Sequence, residues 1–161
     1  MAATKPRKKT KAVPKPAKKA GTKKAALKTT QTTQSVEAFL RGVPSKLRQE
    51  QARTAIKMLR RITGHAPKMW GPSIIGFGRY RYTYESGRQG EMCAAGFSPR
   101  KAAFVFYVSS EGVDDRLWLR LGTYKRGGVC VYVKHFEDID LNVLEQILSA
   151  GYAHVKATHP G

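Results

Sequence analysis

An α+β fold is predicted for this chain: an antiparallel β-sheet meander with helices packed on one face, preceded by a disordered basic tail. Three observations carry the prediction. Residues 1–34 hold eleven Lys and Arg and no Asp or Glu. Apolar residues then recur at helical spacing in 36–62 and again in 141–148. Between those stretches lie short apolar or alternating runs, separated by turns rich in Gly and Ser.

The tail comes first. Lys5, Arg7, Lys8, Lys9, Lys11, Lys15, Lys18, Lys19, Lys23, Lys24 and Lys28 sit among Ala, Thr and three prolines. Such a composition buries too little apolar surface to offset the entropy of ordering, so disorder is expected over 1–34. The domain is expected over 35–151. Ser35 caps a short helix bearing Val36, Phe39 and Leu40, ended by Gly42 and Pro44. Ser45 caps a longer one with Leu47, Ala52, Ala55, Ile56, Leu59 and Ile62 on its apolar face, stopped at Gly64.

The period then changes. Residues 73–77 form an apolar run, and 79–84 alternate with Tyr80, Tyr82 and Tyr84 on one face and Arg79, Arg81 and Thr83 on the other. A turn over 86–90 leads to a strand over 92–97. A second turn over 98–101 leads to a third strand over 102–108. Close spacing and short turns imply a meander. Asp114 and Asp115 open a short helix through Leu117, Trp118 and Leu121. A further strand over 129–133 is entered through Gly127 and Gly128. Asp140 caps a last helix through Leu148, with Gly151 as its stop and 152–161 as a frayed C-terminal end.

Charge bounds the function. The formal net charge is +19, and residues 35–161 still hold nineteen basic against eleven acidic residues. A basic body behind a basic tail points to an external polyanion, with nucleic acid first. No apolar stretch is long enough for a membrane span or placed as a secretory signal, so a cytoplasmic, nucleoid-associated protein is expected, without a membrane partner. Cys93 and Cys130 are too few for a disulfide scaffold and read as reduced, buried positions.

The local motifs give less chemistry. Met69-Trp70-Gly71-Pro72-Ser73-Ile74-Ile75-Gly76-Phe77-Gly78 is a tight backbone path. It reads first as a turn feeding an edge strand, and second as a pocket wall floored by Trp70. The glycines do not match a phosphate-binding fingerprint. His65, His135, His154 and His159 show no metal-ligand spacing, and no catalytic Ser/His/Asp arrangement is legible, so no catalytic residue, metal or cofactor is assigned. The tyrosines of 79–84 read as a core face with solvated arginines; the rival reading is a stacking surface for single-stranded nucleic acid.

Several pieces carry a resemblance. They are residues 35–40 and 69–78, then Arg81-Tyr82-Thr83-Tyr84-Glu85-Ser86-Gly87-Arg88, Gly96-Phe97-Ser98-Pro99-Arg100-Lys101, Leu121-Gly122-Thr123-Tyr124-Lys125 and Cys130-Val131-Tyr132-Val133-Lys134. In this order, over about 35–148, the chain resembles the YdhG-like family, domain of unknown function number 1801. The resemblance implies an α+β layer of helices on an antiparallel sheet, and leaves the tail outside it. Some relatives are discussed as frataxin-like iron carriers. This chain offers only Asp114-Asp115 and Glu137, Asp138 and Asp140 as acidic clusters, each at a helix start, where acids are favoured anyway.

The expected function is therefore a non-enzymatic domain associating non-specifically with nucleic acid through its tail. The alternative is a small-ligand or metal-binding module whose candidate pocket wall is Trp70, Tyr82, Phe97 and Lys125.

Overall fold

The computed structural model describes residues 29–160. Four helices and eight strands follow in the order α1 (Val36–Arg41), α2 (Lys46–Thr63), β1 (Lys68–Trp70), β2 (Ile74–Phe77), β3 (Tyr80–Thr83), β4 (Gln89–Met92), β5 (Ala95–Pro99), β6 (Phe104–Tyr107), α3 (Asp115–Arg120), β7 (Lys125–Gly127), β8 (Cys130–Val133) and α4 (Leu141–Thr158). The α+β prediction holds, with an antiparallel six-stranded sheet in the order β1-β2-β5-β6-β8-β7.

The helices begin where capping chemistry puts them. Ser35 Oγ accepts from the Ala38 amide at 3.2 Å, and Ser45 Oγ from the Arg48 amide at 3.2 Å. Asp114 and Asp140 cap α3 and α4 through their carboxylates. Gly64 closes α2 in the left-handed conformation, its amide donating to the Arg60 carbonyl.

One face of the sheet builds the core. Met69, Ile75, Phe77, Ala95, Phe97, Phe104, Phe106, Val131 and Val133 pack with Leu40 of α1, Leu59 of α2, Trp118 of α3 and Leu144 of α4. All four helices therefore meet the same face, as expected. The other face carries a small cluster of Trp70, Ile74 and Cys93, flanked by Met92 and Tyr107.

Four expectations need correcting. The strands are not a simple meander: β3 and β4 pair only with each other, and β2 runs on to pair with β5 across this inserted hairpin. The strand expected over 92–97 is accordingly two strands, broken at Cys93 and Ala94. Gly127 lies in β7, an edge strand paired with β8, rather than in a lead-in turn. Most consequentially, α4 does not stop at Gly151. That glycine is buried mid-helix, and α4 continues to Thr158, so 152–158 are helical rather than frayed.

The N-terminal boundary also shifts. Gln31 bridges Trp70, the Thr32 amide donates to the Met69 carbonyl, and the Gly71 amide donates to the Thr30 carbonyl, both at 2.8 Å. Residues 30–32, assigned to the tail on composition, thus lie along the edge of β1. The residues 69–78 form β1, a turn and β2, close to the edge-strand reading.

Both cysteines are free. Cys93 is buried, and burial pushes its thiol up to about 12. Cys130 is only partly buried, against the expectation that both are inside. At pH 8 roughly one Cys93 in ten thousand would be thiolate, the form that reacts. One thiol per native chain is therefore expected to react with a disulfide reagent, and two after denaturation. Two fast native thiols would contradict this burial. Because Cys93 ionises more easily unfolded, its contribution to stability falls as pH rises from about 8.5 toward 12.

Candidate nucleic-acid interface

The candidate pocket residues do not form one wall. Trp70 lies on β1 and Lys125 on β7, the two opposite edges of the six-stranded sheet. Phe97 is fully buried beneath the helices, whereas Trp70 belongs to the small cluster on the other face. Tyr82 stands on the separate β3–β4 hairpin. These four residues serve packing and edges in different places, and the pocket expected from them is withdrawn.

What the fold does bring together is three cations and a histidine. His65 follows α2, Lys68 opens β1, Arg79 precedes β3 and Lys156 lies in the last turns of α4. All four line one open cleft of about 460 Å³, together with Gln31, Ala66 and Gly78. Among the described residues, no carboxylate lines it. Glu91 lies 3.9 Å from Arg79 Nη1 and 3.6 Å from Arg81 Nε, so one carboxylate faces two guanidiniums. Such exposed pairs are weak and screened, leaving the cleft positive overall.

Gln31 ties this cleft to the tail, because Lys28 stands only three residues before it. The tail cations themselves, from Lys5 to Lys28, lie outside the described residues.

A second basic surface, of about 450 Å³, is lined by Arg48, Lys101, Lys134 and His135 beside the exposed Leu47. Its arginine is already committed. Arg48 Nη1 donates to Gln51 Oε1 at 2.9 Å and Nη2 to the Lys134 carbonyl at 3.0 Å, which ties α2 to the end of β8.

A smaller cleft of about 160 Å³ gathers Tyr80, Tyr107, Glu111, His154 and His159 beside Cys93. Two of these histidines had been placed in a frayed end; the extension of α4 brings them into the fold. His154 Nε2 lies 3.0 Å from Glu111 Oε2. Thr158 Oγ1 lies 2.9 Å from His159 Nδ1 and donates to the His154 carbonyl at 2.8 Å. With its proton given to that carbonyl, the hydroxyl accepts from the imidazole rather than being activated by it. The neighbouring Cys93 thiol is held protonated. Neither hydroxyl nor thiol here is arranged as a nucleophile.

The tyrosines of 80–84 are not a core face. Tyr80 and Tyr82 are half-buried and Tyr84 is 50% exposed. Tyr82 lies against Gly90, its cross-strand partner, where a Cβ would overlap the ring. The alternation in the sequence located this strand correctly, but it could not reveal that the strand leaves the main sheet.

Among the described residues, no three His, Cys, Asp or Glu side chains come together that could hold a metal ion. No helix among them is long and apolar enough to cross a membrane. Comparisons with protein-family models, curated proteins and solved structures find no match to this chain.

Proposed function

We propose that this protein is a non-enzymatic nucleic-acid-associating domain, held to the phosphate backbone by its N-terminal tail and by the cleft of His65, Lys68, Arg79 and Lys156. The observation that carries the reading is the convergence of these four side chains, from three parts of the chain, on one cleft beside Gln31 that no acid of the described residues lines. The same chain carries eleven further cations, from Lys5 to Lys28. Linked contacts of this kind add through effective concentration. Lysines and arginines used this way neutralise phosphates without reading bases, so the association is non-specific in sequence. We also propose kinship with the YdhG-like family, which implies helices on one face of an antiparallel sheet. A cytoplasmic, nucleoid-associated location belongs to the same proposal.

The test is a salt titration of duplex DNA binding by fluorescence anisotropy. If five or six tail lysines engage together with the three cleft cations, log K is expected to fall against log salt with a slope of about −8, at ~0.9 per phosphate contacted. A chain beginning at Thr29 keeps the strand pairing of residues 30–32 and should retain a shallower slope of about −3 from the cleft. Adding Lys68→Glu, Arg79→Glu and Lys156→Glu to it should abolish binding. Undiminished affinity in that combined variant, or a salt-independent constant in the full chain, would overturn the proposal.

A further inference from the structure

Four rings form a continuous row that begins in the smaller cleft and runs along one face of the β3–β4 hairpin. His159, at the end of α4, lies 5.0 Å from Tyr80, centroid to centroid. Tyr80 lies 5.9 Å from Tyr82, and Tyr82 5.2 Å from Tyr84, edge to face. Tyr80 and His159 both line that smaller cleft, together with Glu111. Arg79, one residue before Tyr80, lies on the other face of the strand, where it approaches Glu91.

The hairpin that carries the tyrosines belongs to neither main-sheet edge nor helix layer. Part of the row has a structural duty, since Tyr82 covers the backbone at Gly90 and so holds β3 to β4. At Tyr84 it is the backbone that closes the hairpin turn, its amide donating to the Arg88 carbonyl and its carbonyl accepting from the Gly87 amide, both at 2.8 Å. Tyr84 lies beyond the end of β3, and half of it is open to solvent. The positive charge of Arg88 acts on Tyr82, whereas Arg79 and Arg81 lie on the opposite face of the strand, toward Glu91.

Resting on the nucleic-acid reading above, we infer that the row His159–Tyr80–Tyr82–Tyr84 is a stacking track for single-stranded nucleic acid, which the cations of the chain attract and the rings then hold by its bases. The chemistry selects this partner. Every base has a π-face that can lie on a tyrosine, whatever the sequence. In a duplex those faces are buried in the base stack, so a duplex can use the cations but not the rings. The tail supplies charge alone and cannot distinguish the two forms; the ring row can.

The experiment compares an oligothymidylate of about 20 nucleotides with a duplex of equal length, using the full chain and Tyr84→Ala and Tyr84→Phe variants at one fixed salt concentration. Circular dichroism establishes that the variants are folded. Tyr84→Ala is expected to weaken single-strand binding about fivefold or more and leave duplex binding unchanged, while Tyr84→Phe, which keeps the π-face, retains single-strand affinity. Equal loss on both nucleic acids, or no loss on either, overturns the stacking track and leaves the charge-based association standing. If the unaltered chain binds neither oligonucleotide, the nucleic-acid reading itself falls, and the track with it.

Discussion

Phe97→Ala is expected to bring the domain close to unfolding, with a loss of about 3–5 kcal/mol. Phe97 is fully buried at the centre of β5, which is itself flanked by β2 and β6. Its ring stacks on Phe104 at 5.0 Å and lies 6.4 Å from Phe106, and α2 packs over it from the helix layer. Truncation removes the transfer energy of a whole aromatic side chain and leaves a cavity that two sheet neighbours and a helix cannot collapse into together. A domain of this size has roughly 5–15 kcal/mol in total, so the loss takes much of what there is. Urea unfolding checks it: the midpoint should fall sharply at an unchanged slope. Lys125→Ala, on the exposed edge strand β7, should stay within about 0.5 kcal/mol of the unaltered chain. The contrast separates packing from binding. Had these residues shared a ligand pocket, both changes would weaken binding while leaving the midpoint alone, and that result would contradict the structure.

The elements legible in the sequence were those fixed by local chemistry. Ser35, Ser45, Gly64, Asp114 and Asp140 act on amides and carbonyls within a turn of themselves, so their positions bound the helices directly. The misread elements depend on partners far along the chain. Whether β2 continues into β3 or β5 is decided by which strand lies beside it, and the inserted hairpin leaves no local mark beyond the break at Cys93 and Ala94. β1 and β7 are three-residue strands that exist through their pairing, and their Lys and Gly content argues against them in isolation. The candidate site followed the same division. The basic character of the body was plain from composition, but His65, Lys68, Arg79 and Lys156 converge only after the sheet and α4 are assembled. Reading α4 as ending at Gly151 removed His154, Lys156 and His159 from consideration at one stroke. A signal was present: Tyr152 and Val155 continue the apolar spacing of Leu144 and Leu148 beyond the glycine.

Gly151→Ala tests that same glycine, and two rules give opposite signs for it. Helix propensity alone says that alanine in mid-helix should stabilise by about 1 kcal/mol, because glycine has more backbone freedom to lose. Packing says the reverse. A Cβ at this position would overlap the Ser109 carbonyl oxygen and Val108 Cγ2. The first of these is backbone, in the segment that follows β6, and cannot swing aside as a side-chain tip can. Relief would require α4 to withdraw from Val108 and Ser109, loosening Leu148 and Val155, which are buried on either side of the glycine along the same helix. Overpacking of this kind costs about 1–3 kcal/mol, and here the rigid partner and the length of helix displaced place it at the upper end. Packing therefore wins, with a net loss of about 2 kcal/mol and a fall in Tm of roughly 6–10 °C by thermal denaturation. A raised Tm would mean that the glycine is a helix defect rather than a close contact. Because the same displacement would carry Lys156 away from Lys68 and Arg79, the variant should also lose duplex affinity at low salt while its tail is untouched.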